Sequence, residues 1–175
     1  PVQSGSDRIL KAMRRGHTAE NYRRRVDAIR DSPRAISLTT DLIVGFPGET
    51  AEDFADTLSL FEYCQYDSAY IFKYSVRPGT PAAFLTDNVT PAEKSSRFIE
   101  IEKLHKRYLK KSLESMIGKE VQVLVEKISP KSADEYSGHT TCQRVLNFKT
   151  PFNVLGEIVT AKVTESKVNT LYGEI

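Results

Sequence analysis

Residues 39–50 constrain the fold of this chain more than any other segment. Within them, residues 42–44 are all apolar, and such a short apolar run is typical of a parallel strand that is covered on both faces. Gly45 and Gly48 follow, and a residue without a side chain lets the backbone come close to another group. The segment therefore predicts a buried strand that ends in a tight turn with accessible backbone.

A helix is predicted immediately after this turn. Thr50 fits the N-cap position, and Asp53 stands where it completes a capping box. The end of a strand and the N-terminus of the next helix are the place at which α/β proteins bind ligands. An ordinary strand–helix loop with glycines kept for packing is the competing interpretation, and this segment alone does not decide between the two.

The first part of the chain alternates between helical and strand patterns. One short helix is predicted to end at Gly16, and Thr18 caps the helix that follows. Strands are predicted at about residues 35–44 and 69–74, on either side of the helix after the glycine turn. Helices and strands in this order, with short connections, imply a parallel sheet with crossover helices, and the strands are too few to close a barrel.

The pattern changes in the last third of the chain. Thr90, Pro91 and Glu93 form a strong helix start, and this helix is predicted to run to about Met116. After Gly118, apolar and polar residues alternate in short segments that turn residues separate, which predicts a small all-β barrel. The predicted strand segments are residues 121–125, 144–148, 158–163 and 171–175.

Composition indicates a soluble globular protein, with 39% hydrophobic and 27% charged residues. We predict an α/β domain at residues 1–112 and an all-β domain at residues 113–175. No apolar run reaches the length of a membrane span, so no membrane partner is expected. Cys64 and Cys142 are the only cysteines and lie far apart, which argues against a metal site built from this chain alone and fits a reducing, cytoplasmic location.

The net charge of +2 conceals a segregation of charge along the chain. Residues 1–40 carry nine Lys and Arg against four Asp and Glu, residues 41–93 carry two against nine, and residues 94–119 carry eight against three. The basic runs, which include Arg23-Arg24-Arg25, can contact nucleic acid phosphates. A solvated helix face is the commoner explanation of such runs, and the charge pattern alone leaves both interpretations open.

Four motifs follow one another along the chain, at residues 1–7, 13–18, 40–50 (with Gly45-Phe46-Pro47-Gly48) and 74–83 (with Arg77-Pro78-Gly79-Thr80). In this order the motifs resemble those of the radical SAM methylthiotransferases. Among these enzymes the chain is most similar to the tRNA 2-methylthio-dimethylallyladenosine synthases (the MiaB type). The resemblance covers essentially the whole chain, and four linked motifs in register make a chance similarity improbable.

The resemblance implies both a fold and a function. Residues 1–112 would be the C-terminal half of a partial (β/α) radical SAM barrel, and residues 113–175 a TRAM domain, a small OB-like RNA-binding barrel. The implied enzyme methylthiolates carbon 2 of a hypermodified adenosine next to the tRNA anticodon, so the anticodon stem-loop of tRNA is the implied partner. The implied cofactors are S-adenosylmethionine and two 4Fe-4S clusters, which carry the difficult chemistry.

The cysteine loop that holds the family's radical SAM cluster, CxxxCxxC, is not in this chain. We therefore expect the chain to be the C-terminal part of a longer enzyme and to be inactive alone. Two alternatives stay open. One is a methylthiotransferase that acts on threonylcarbamoyl-adenosine of tRNA, and the other is a non-enzymatic RNA-binding protein. The sequence at residues 77–80 looks more like the relatives that act on tRNA than like those that act on a ribosomal protein.

The resemblance also implies residues of the cofactor site: Gln3, Ser4, Arg15, Asp41, Gly45, Phe46 and Gly48. Arg15 suits the methionyl carboxylate through a two-pronged contact, and Arg14 is its adjacent competitor. Ser4 has a local turn hydrogen bond as its alternative role. For Asp41, an ion pair with a structural arginine is nearly as good an explanation.

A second set of residues is implied for RNA: Arg77, Lys106, Arg107, Lys110, Lys111 and His139. Lysines and arginines on the long helix lead directly into the β-barrel, so helix and barrel are expected to share one electrostatic surface. His139 departs from the family, which usually has arginine after that glycine. This weakens the assignment of a phosphate contact to His139 without removing it, because an imidazole still donates a hydrogen bond.

Overall fold

The structure is a computed structural model that describes residues 1–129 and 134–175. It divides into two units, Pro1–Tyr108 and Leu109–Ile175, and each is described by itself. None of the helices in the described residues combines the length and the apolar composition that a membrane-crossing segment needs.

The first unit is built from helices around a small parallel sheet, as the sequence predicts. Strands β1 (Thr39–Val44) and β2 (Ser68–Lys73) pair in parallel. The extended residues before the first helix add a parallel bridge between Gln3 and Leu42. The helices in chain order are α1 (Asp7–Ala12), α2 (Ala19–Arg30), α3 (Ala51–Cys64), a 3-10 turn (Pro81–Phe84) and α4 (Pro91–Glu114).

Strand β1 begins at Thr39 rather than at about residue 35. Its partner β2 begins at Ser68, which lies opposite Thr39. Leu38 belongs to a loop, because its N–H donates to the Asp67 carboxylate (2.8 Å) and its carbonyl accepts from the Asp67 N–H (2.9 Å). The strand therefore starts where a partner becomes available, which the pattern of one segment does not reveal.

The core of the first unit contains side chains from the sheet and from three helices. Leu42 and Val44 of β1 are fully buried together with Phe61 of α3 and Ile101 of α4, and Val26 of α2 is nearly so. Leu42 and Val44 lie in the apolar run that predicts a buried strand. Full burial of an apolar side chain of this size contributes about 1.5–3 kcal/mol, so this cluster is the main stabilising element of the unit.

The predicted helix starts are confirmed. The Thr18 hydroxyl caps α2. Thr50 and Asp53 exchange the reciprocal hydrogen bonds of a capping box at the start of α3. Thr90 and Glu93 exchange the same pair of bonds at the start of α4, with Pro91 as its first residue. Each helix therefore begins where a side chain satisfies backbone N–H groups that have no partner within the helix.

Asp53 also ties α1 to α3. Its carboxylate forms an ion pair with Arg8 and accepts from the Ser6 hydroxyl (2.6 Å) and the Thr50 N–H (2.8 Å). Burial alone would raise the pKa of Asp53, but the hydrogen bonds from these three residues outweigh it and hold the pKa well below its usual range. The ionised carboxylate is thus a structural link between the two helices.

Replacing Asp53 with Asn should destabilise the chain by about 2 kcal/mol at pH 7, because charge-assisted hydrogen bonds are lost. A depressed carboxyl pKa contributes stability that is fully present above the unfolded value of about 3.9 and is lost as the pH falls below it. The difference in unfolding free energy between parent and variant should therefore shrink from pH 5 to pH 2. Urea unfolding at several pH values measures this. Asp56→Asn, at an exposed position of the same helix, is the control, and a pH-independent difference would contradict the assignment.

The second unit is a closed five-strand barrel, which confirms the predicted all-β domain. Neighbouring strands run in the order β3-β4-β5-β7-β6, and all pairs are antiparallel except β5 with β7. The strands are β3 (Glu120–Ile128), β4 (Glu135–Thr140), β5 (Val145–Lys149), β6 (Ile158–Ser166) and β7 (Leu171–Glu174).

The interior of the barrel is filled by alternate residues of its strands. Val123, Leu146, Val163 and Leu171 are almost completely buried. Gly138 lies where a Cβ atom would come within 2.0 Å of the Leu124 carbonyl oxygen, so only glycine lets β3 and β4 approach this closely. The alternation of period two that the sequence shows is thus the alternation between barrel interior and surface.

Candidate functional site

A cavity of about 470 Å³ opens in the first unit on the face of the sheet that carries Asp41 and Ile43. Other parts of the wall come from Gln3 before α1, from the residues at the C-terminal end of α1 and from the segment that follows β2. This volume lies within the usual range of small-molecule sites. The structure brings five of the predicted site residues together in its lining: Gln3, Arg15, Asp41, Phe46 and Arg77.

Gln3 has a strained backbone at this cavity. Its φ is +68°, in the left-handed region that residues other than glycine rarely adopt, and only 5% of the residue is exposed. Its N–H donates to the Asp41 carbonyl and its carbonyl accepts from the Ile43 N–H, both at 3.0 Å. No hydrogen bond within the described residues occupies the Gln3 side-chain amide. Strain of this kind is typical of residues that contact a ligand.

Arg14 and Arg15 end α1 in a Schellman motif. The Arg15 N–H donates to the Leu10 carbonyl (2.8 Å), and the Arg14 N–H donates to the Lys11 carbonyl (3.0 Å). Arg14 takes the left-handed position of the motif, with a φ of +56°. Glycine is usual there, because a side chain makes this conformation about 1–2 kcal/mol less favourable. Both arginines line the cavity.

Arg77 is held by the turn that follows β2. Pro78 and Gly79, the latter with a φ of +81°, take the central positions of a turn of type II pattern. The Arg77 carbonyl accepts from the Thr80 N–H (3.3 Å) and from the Thr80 hydroxyl (2.8 Å). The Arg-Pro-Gly-Thr motif therefore fixes the backbone of Arg77 at the cavity wall.

Positive charge predominates in this cavity. Arg14, Arg15 and Arg77 line it, and none of them forms an ion pair or a side-chain hydrogen bond within the described residues. Asp41 is the acidic residue of the lining. Lys73 also contributes to the wall, but its amine donates to a hydroxyl on α4 (3.0 Å). The cavity is therefore suited to a ligand with anionic groups.

One wall of the cavity is aromatic. The Phe46 and Tyr74 rings meet edge to face, with their centroids 5.2 Å apart. The Tyr74 hydroxyl donates to the Ala82 carbonyl (3.1 Å), and the Lys94 amine lies 5.2 Å from the centre of the Tyr74 ring. Sequence reasoning did not assign Tyr74 to the site, although it stands three residues before Arg77. Phe46 is only 4% exposed, whereas Tyr74 is partly exposed. A ring beside unpaired arginines suits a ligand that combines a planar base with an acidic group.

Three residues predicted for the cofactor do not belong to the cavity lining. Ser4 is fully buried and lies within hydrogen-bonding distance of the Thr57 hydroxyl (3.2 Å). A Cβ atom at Gly45 would meet the Lys94 side chain at 2.3 Å. Gly48 donates its N–H to Asn88 (2.7 Å), and its φ of +81° accounts for the glycine. Their roles at a cofactor stay predictions.

A buried ion pair between Arg97 and Glu49 supports the turn at residues 45–48. Arg97 of α4 donates to the Glu49 carboxylate (2.7 Å) and to the Glu49 carbonyl (3.1 Å). The Gly45 N–H donates to the same carboxylate oxygen (2.6 Å). Burial raises the pKa of Glu49, and the bonds from Gly45 and Arg97 offset this only in part. The pairing joins residues that are far apart in sequence, which explains why no local pattern indicated it.

The cations predicted for RNA on α4 already have partners. Lys106 pairs with Glu102 (3.3 Å), Arg107 with Glu62 (3.3 Å), and Lys110 with Glu114 (3.7 Å). Lys111 also takes part in an interaction. The three ion pairs are exposed, where such pairs contribute only about 0–1 kcal/mol, so these cations can exchange their carboxylates for phosphates.

His139 lies on β4 of the barrel, and its side chain is 37% exposed. Its Nδ1 is 2.5 Å from the Glu126 carboxylate on β3. An RNA phosphate at His139 would therefore have to approach a histidine that is already engaged by a carboxylate.

The described residues contain no group of three or more His, Cys, Asp or Glu side chains that is arranged to hold a metal ion. Cys64 is buried and Cys142 is partly exposed, and both are free thiols. Burial raises the pKa of the Cys64 thiol, and a thiol of raised pKa in an apolar core is a weak nucleophile.

Comparison with known proteins gives two domain matches. The Radical SAM superfamily matches residues 1–61, and the TRAM domain matches residues 114–175. The first match includes Gln3, Arg15, Asp41 and Phe46 of the cavity.

Individual relatives match the whole chain. The chain is 44% identical to the tRNA-2-methylthio-N(6)-dimethylallyladenosine synthase of Alkalilimnicola ehrlichii, of which it covers 39%, and 44% identical to that of Methylococcus capsulatus, of which it covers 38%. It is 41% identical to the synthase of the same name from Haemophilus influenzae and covers 37% of it. The chain thus spans about two fifths of the length of the curated relatives it matches.

Proposed function

We propose that the chain is the part of a radical SAM methylthiotransferase that contacts the cofactor and the RNA. The proposed reaction places a methylthio group on carbon 2 of a hypermodified adenosine in tRNA. The proposed substrate region is the anticodon stem-loop. The relatives' names, which specify a tRNA dimethylallyladenosine, support this choice.

The main support for the proposal is the set of chemical groups that line the cavity. S-adenosylmethionine has a carboxylate, an ammonium group, a ribose diol and an adenine ring. The lining offers unpaired guanidinium groups, the Asp41 carboxylate, the Gln3 amide and the rings of Phe46 and Tyr74. The donor set and the volume fit this cofactor.

Each of these lining residues matches one chemical group of the cofactor. Arg15 binds the carboxylate, because a guanidinium matches a carboxylate with two parallel hydrogen bonds. Asp41 accepts from the ammonium group or from a ribose hydroxyl. Phe46 provides a ring surface for the adenine, and the amide of Gln3 donates and accepts at the neighbouring polar groups. When bound, the cofactor supplies the radical chemistry, and these residues hold it in place.

The residues of this chain do not fit an iron–sulfur cluster. A 4Fe-4S cluster is held by several cysteine thiolates, whereas the chain has two cysteines, one in each unit. We therefore propose that residues outside this chain provide the cluster ligands, and that the chain alone is inactive.

One observation favours a second candidate substrate. Threonylcarbamoyl-adenosine carries a carboxylate that dimethylallyl-adenosine lacks, and the unpaired arginines of the cavity suit an additional acidic group. The dimethylallyl group is apolar and suits the exposed ring of Phe72 in the same lining instead.

Incubation of the full-length protein with S-adenosylmethionine, a reductant and tRNA tests the proposal. Mass spectrometry of the digested tRNA should show the added methylthio group on dimethylallyl-adenosine. Product only on threonylcarbamoyl-adenosine would favour the second candidate. Tight tRNA binding without either product, in protein that contains its clusters, would support a non-enzymatic RNA-binding protein.

The helix cations make a separate prediction about RNA affinity. Replacing Lys110 and Lys111 with Gln in the full-length protein should reduce the slope of log affinity against log salt by about one to two units, because each phosphate contact releases about one counterion. Binding of unmodified tRNA across a salt series measures this.

The ion partner of Lys110 provides the matched control. Glu114→Gln should raise the affinity, because it releases Lys110 from its carboxylate. A double lysine variant that behaves like the parent would move the RNA surface elsewhere, with the arginine run of α2 (residues 23–25) as the next candidate.

A further inference from the structure

We propose that Arg14 and Arg77 bind a phosphodiester group of the substrate RNA at the cavity, apart from the carboxylate contact of Arg15. The inference rests on the proposed function, and it gives Arg14 a role other than that of a competitor of Arg15 for the cofactor carboxylate.

The first argument is the charge of the cavity. S-adenosylmethionine has one carboxylate against two positive groups, its ammonium and its sulfonium. One guanidinium satisfies that carboxylate, and Asp41 faces the positive groups. Arg14 and Arg77 then remain without an anionic partner within the described residues. Cations that share one cavity repel one another unless a further anion enters it, and a phosphodiester is the anion that an RNA substrate brings.

The second argument is the conformation of Arg14. It occupies the left-handed position of a Schellman motif, which glycine occupies without strain. The hydrogen bonds of the motif are made by the backbone, so they do not need an arginine side chain. Arg14 therefore contributes nothing to the helix end that glycine would not provide, and it belongs to the lining of the cavity. Strain without a structural benefit indicates a functional side chain.

The third argument is the placement of Arg77. Its backbone is fixed by the turn at residues 77–80, and its side chain is unpaired. Because the backbone of Arg77 is already fixed, binding of a phosphate does not have to order the loop as well. The two arginines thus come from two separate segments, one after α1 and one after β2, and both line the same cavity.

The test combines a protein variant with a modified RNA. Wild-type and Arg14→Gly full-length proteins are titrated with a short oligoribonucleotide that contains the target adenosine, and with the same strand carrying neutral methylphosphonates beside that adenosine. The neutral linkages should weaken binding to the wild type about tenfold, and Arg14→Gly should weaken binding to the normal strand by about the same factor. The neutral linkages should then cause a smaller further loss in the variant, because Arg77 still contacts the phosphodiester, and no further loss when Arg77→Gln is added to Arg14→Gly. Arg77→Gln should behave in the same way, and the melting temperature of Arg14→Gly should be equal to or above that of the wild type.

Titration with S-adenosylmethionine shows whether Arg14 and Arg77 bind the carboxylate of the cofactor or a phosphodiester of the RNA. Arg14→Gly and Arg77→Gln should keep cofactor affinity within about twofold, whereas a loss of cofactor affinity with unchanged RNA affinity would overturn the inference. Arg34→Gly, at an exposed loop arginine outside the cavity, is the matched control and should change neither. Normal RNA binding by Arg14→Gly, or losses that simply add in the variant with neutral RNA, would overturn the inference alone. A wild type that binds neither cofactor nor RNA would overturn the proposed function as well.

Discussion

Replacing Arg97 with Met should destabilise the chain by about 3–5 kcal/mol, which is the usual cost of removing one partner of a buried ion pair. The Glu49 carboxylate would then be buried without a cation, and one of its oxygens already has no hydrogen-bond partner within the described residues. Urea unfolding followed by circular dichroism measures the loss, since the chain has no tryptophan.

Two further measurements would identify the cause of the lost stability. Adding Glu49→Gln to the Arg97→Met variant should restore at least half of the lost stability, because the buried charge is removed. The raised pKa of Glu49 means that its contribution to stability falls as the pH rises through its unfolded value of about 4.3, and more so without Arg97. The loss should therefore be smaller at pH 4.5 than at pH 7. Lys106→Met, which breaks an exposed pair, should change stability by less than about 0.5 kcal/mol.

Replacing Arg15 with Gln should lower kcat/KM for S-adenosylmethionine in the full-length enzyme about a hundredfold. The variant loses a charge-assisted, two-pronged contact that we assign to the cofactor carboxylate. Steady-state methylthiolation of tRNA, together with direct cofactor titration, measures the effect. Arg34→Gln is the control, because Arg34 is exposed and lies outside the cavity. An Arg15→Gln enzyme with parent activity would remove Arg15 from the site.

Local patterns in the sequence predicted the elements of this fold well. The helix starts at Thr18, Thr50 and Thr90 depend on residues three positions apart, so a single segment contains all the information. Alternation of apolar and polar residues predicted four of the five barrel strands, and the structure confirms these four. The strand β4 was not predicted. The start of β1 was placed too early, because it depends on where β2 provides a partner.

The site was less predictable, because its geometry depends on contacts between distant segments. Gln3, Asp41 and Arg77 come together only through the parallel arrangement of the strands and the bridge before α1. The glycines of the turn were expected to approach a ligand, yet at Gly45 the neighbouring group is the Lys94 side chain from α4. The left-handed conformation of Arg14 has no sequence signal at all, since it is recognisable only from the helix end that surrounds it.

We propose that this cavity holds S-adenosylmethionine next to the substrate RNA. A crystal structure of the full-length protein with S-adenosylmethionine tests it most directly. The account predicts the cofactor in the cavity, with its carboxylate within hydrogen-bonding distance of the Arg15 guanidinium and its adenine against Phe46. A cofactor bound elsewhere, with Gln3, Arg15 and Asp41 free of contacts to it, would contradict the account.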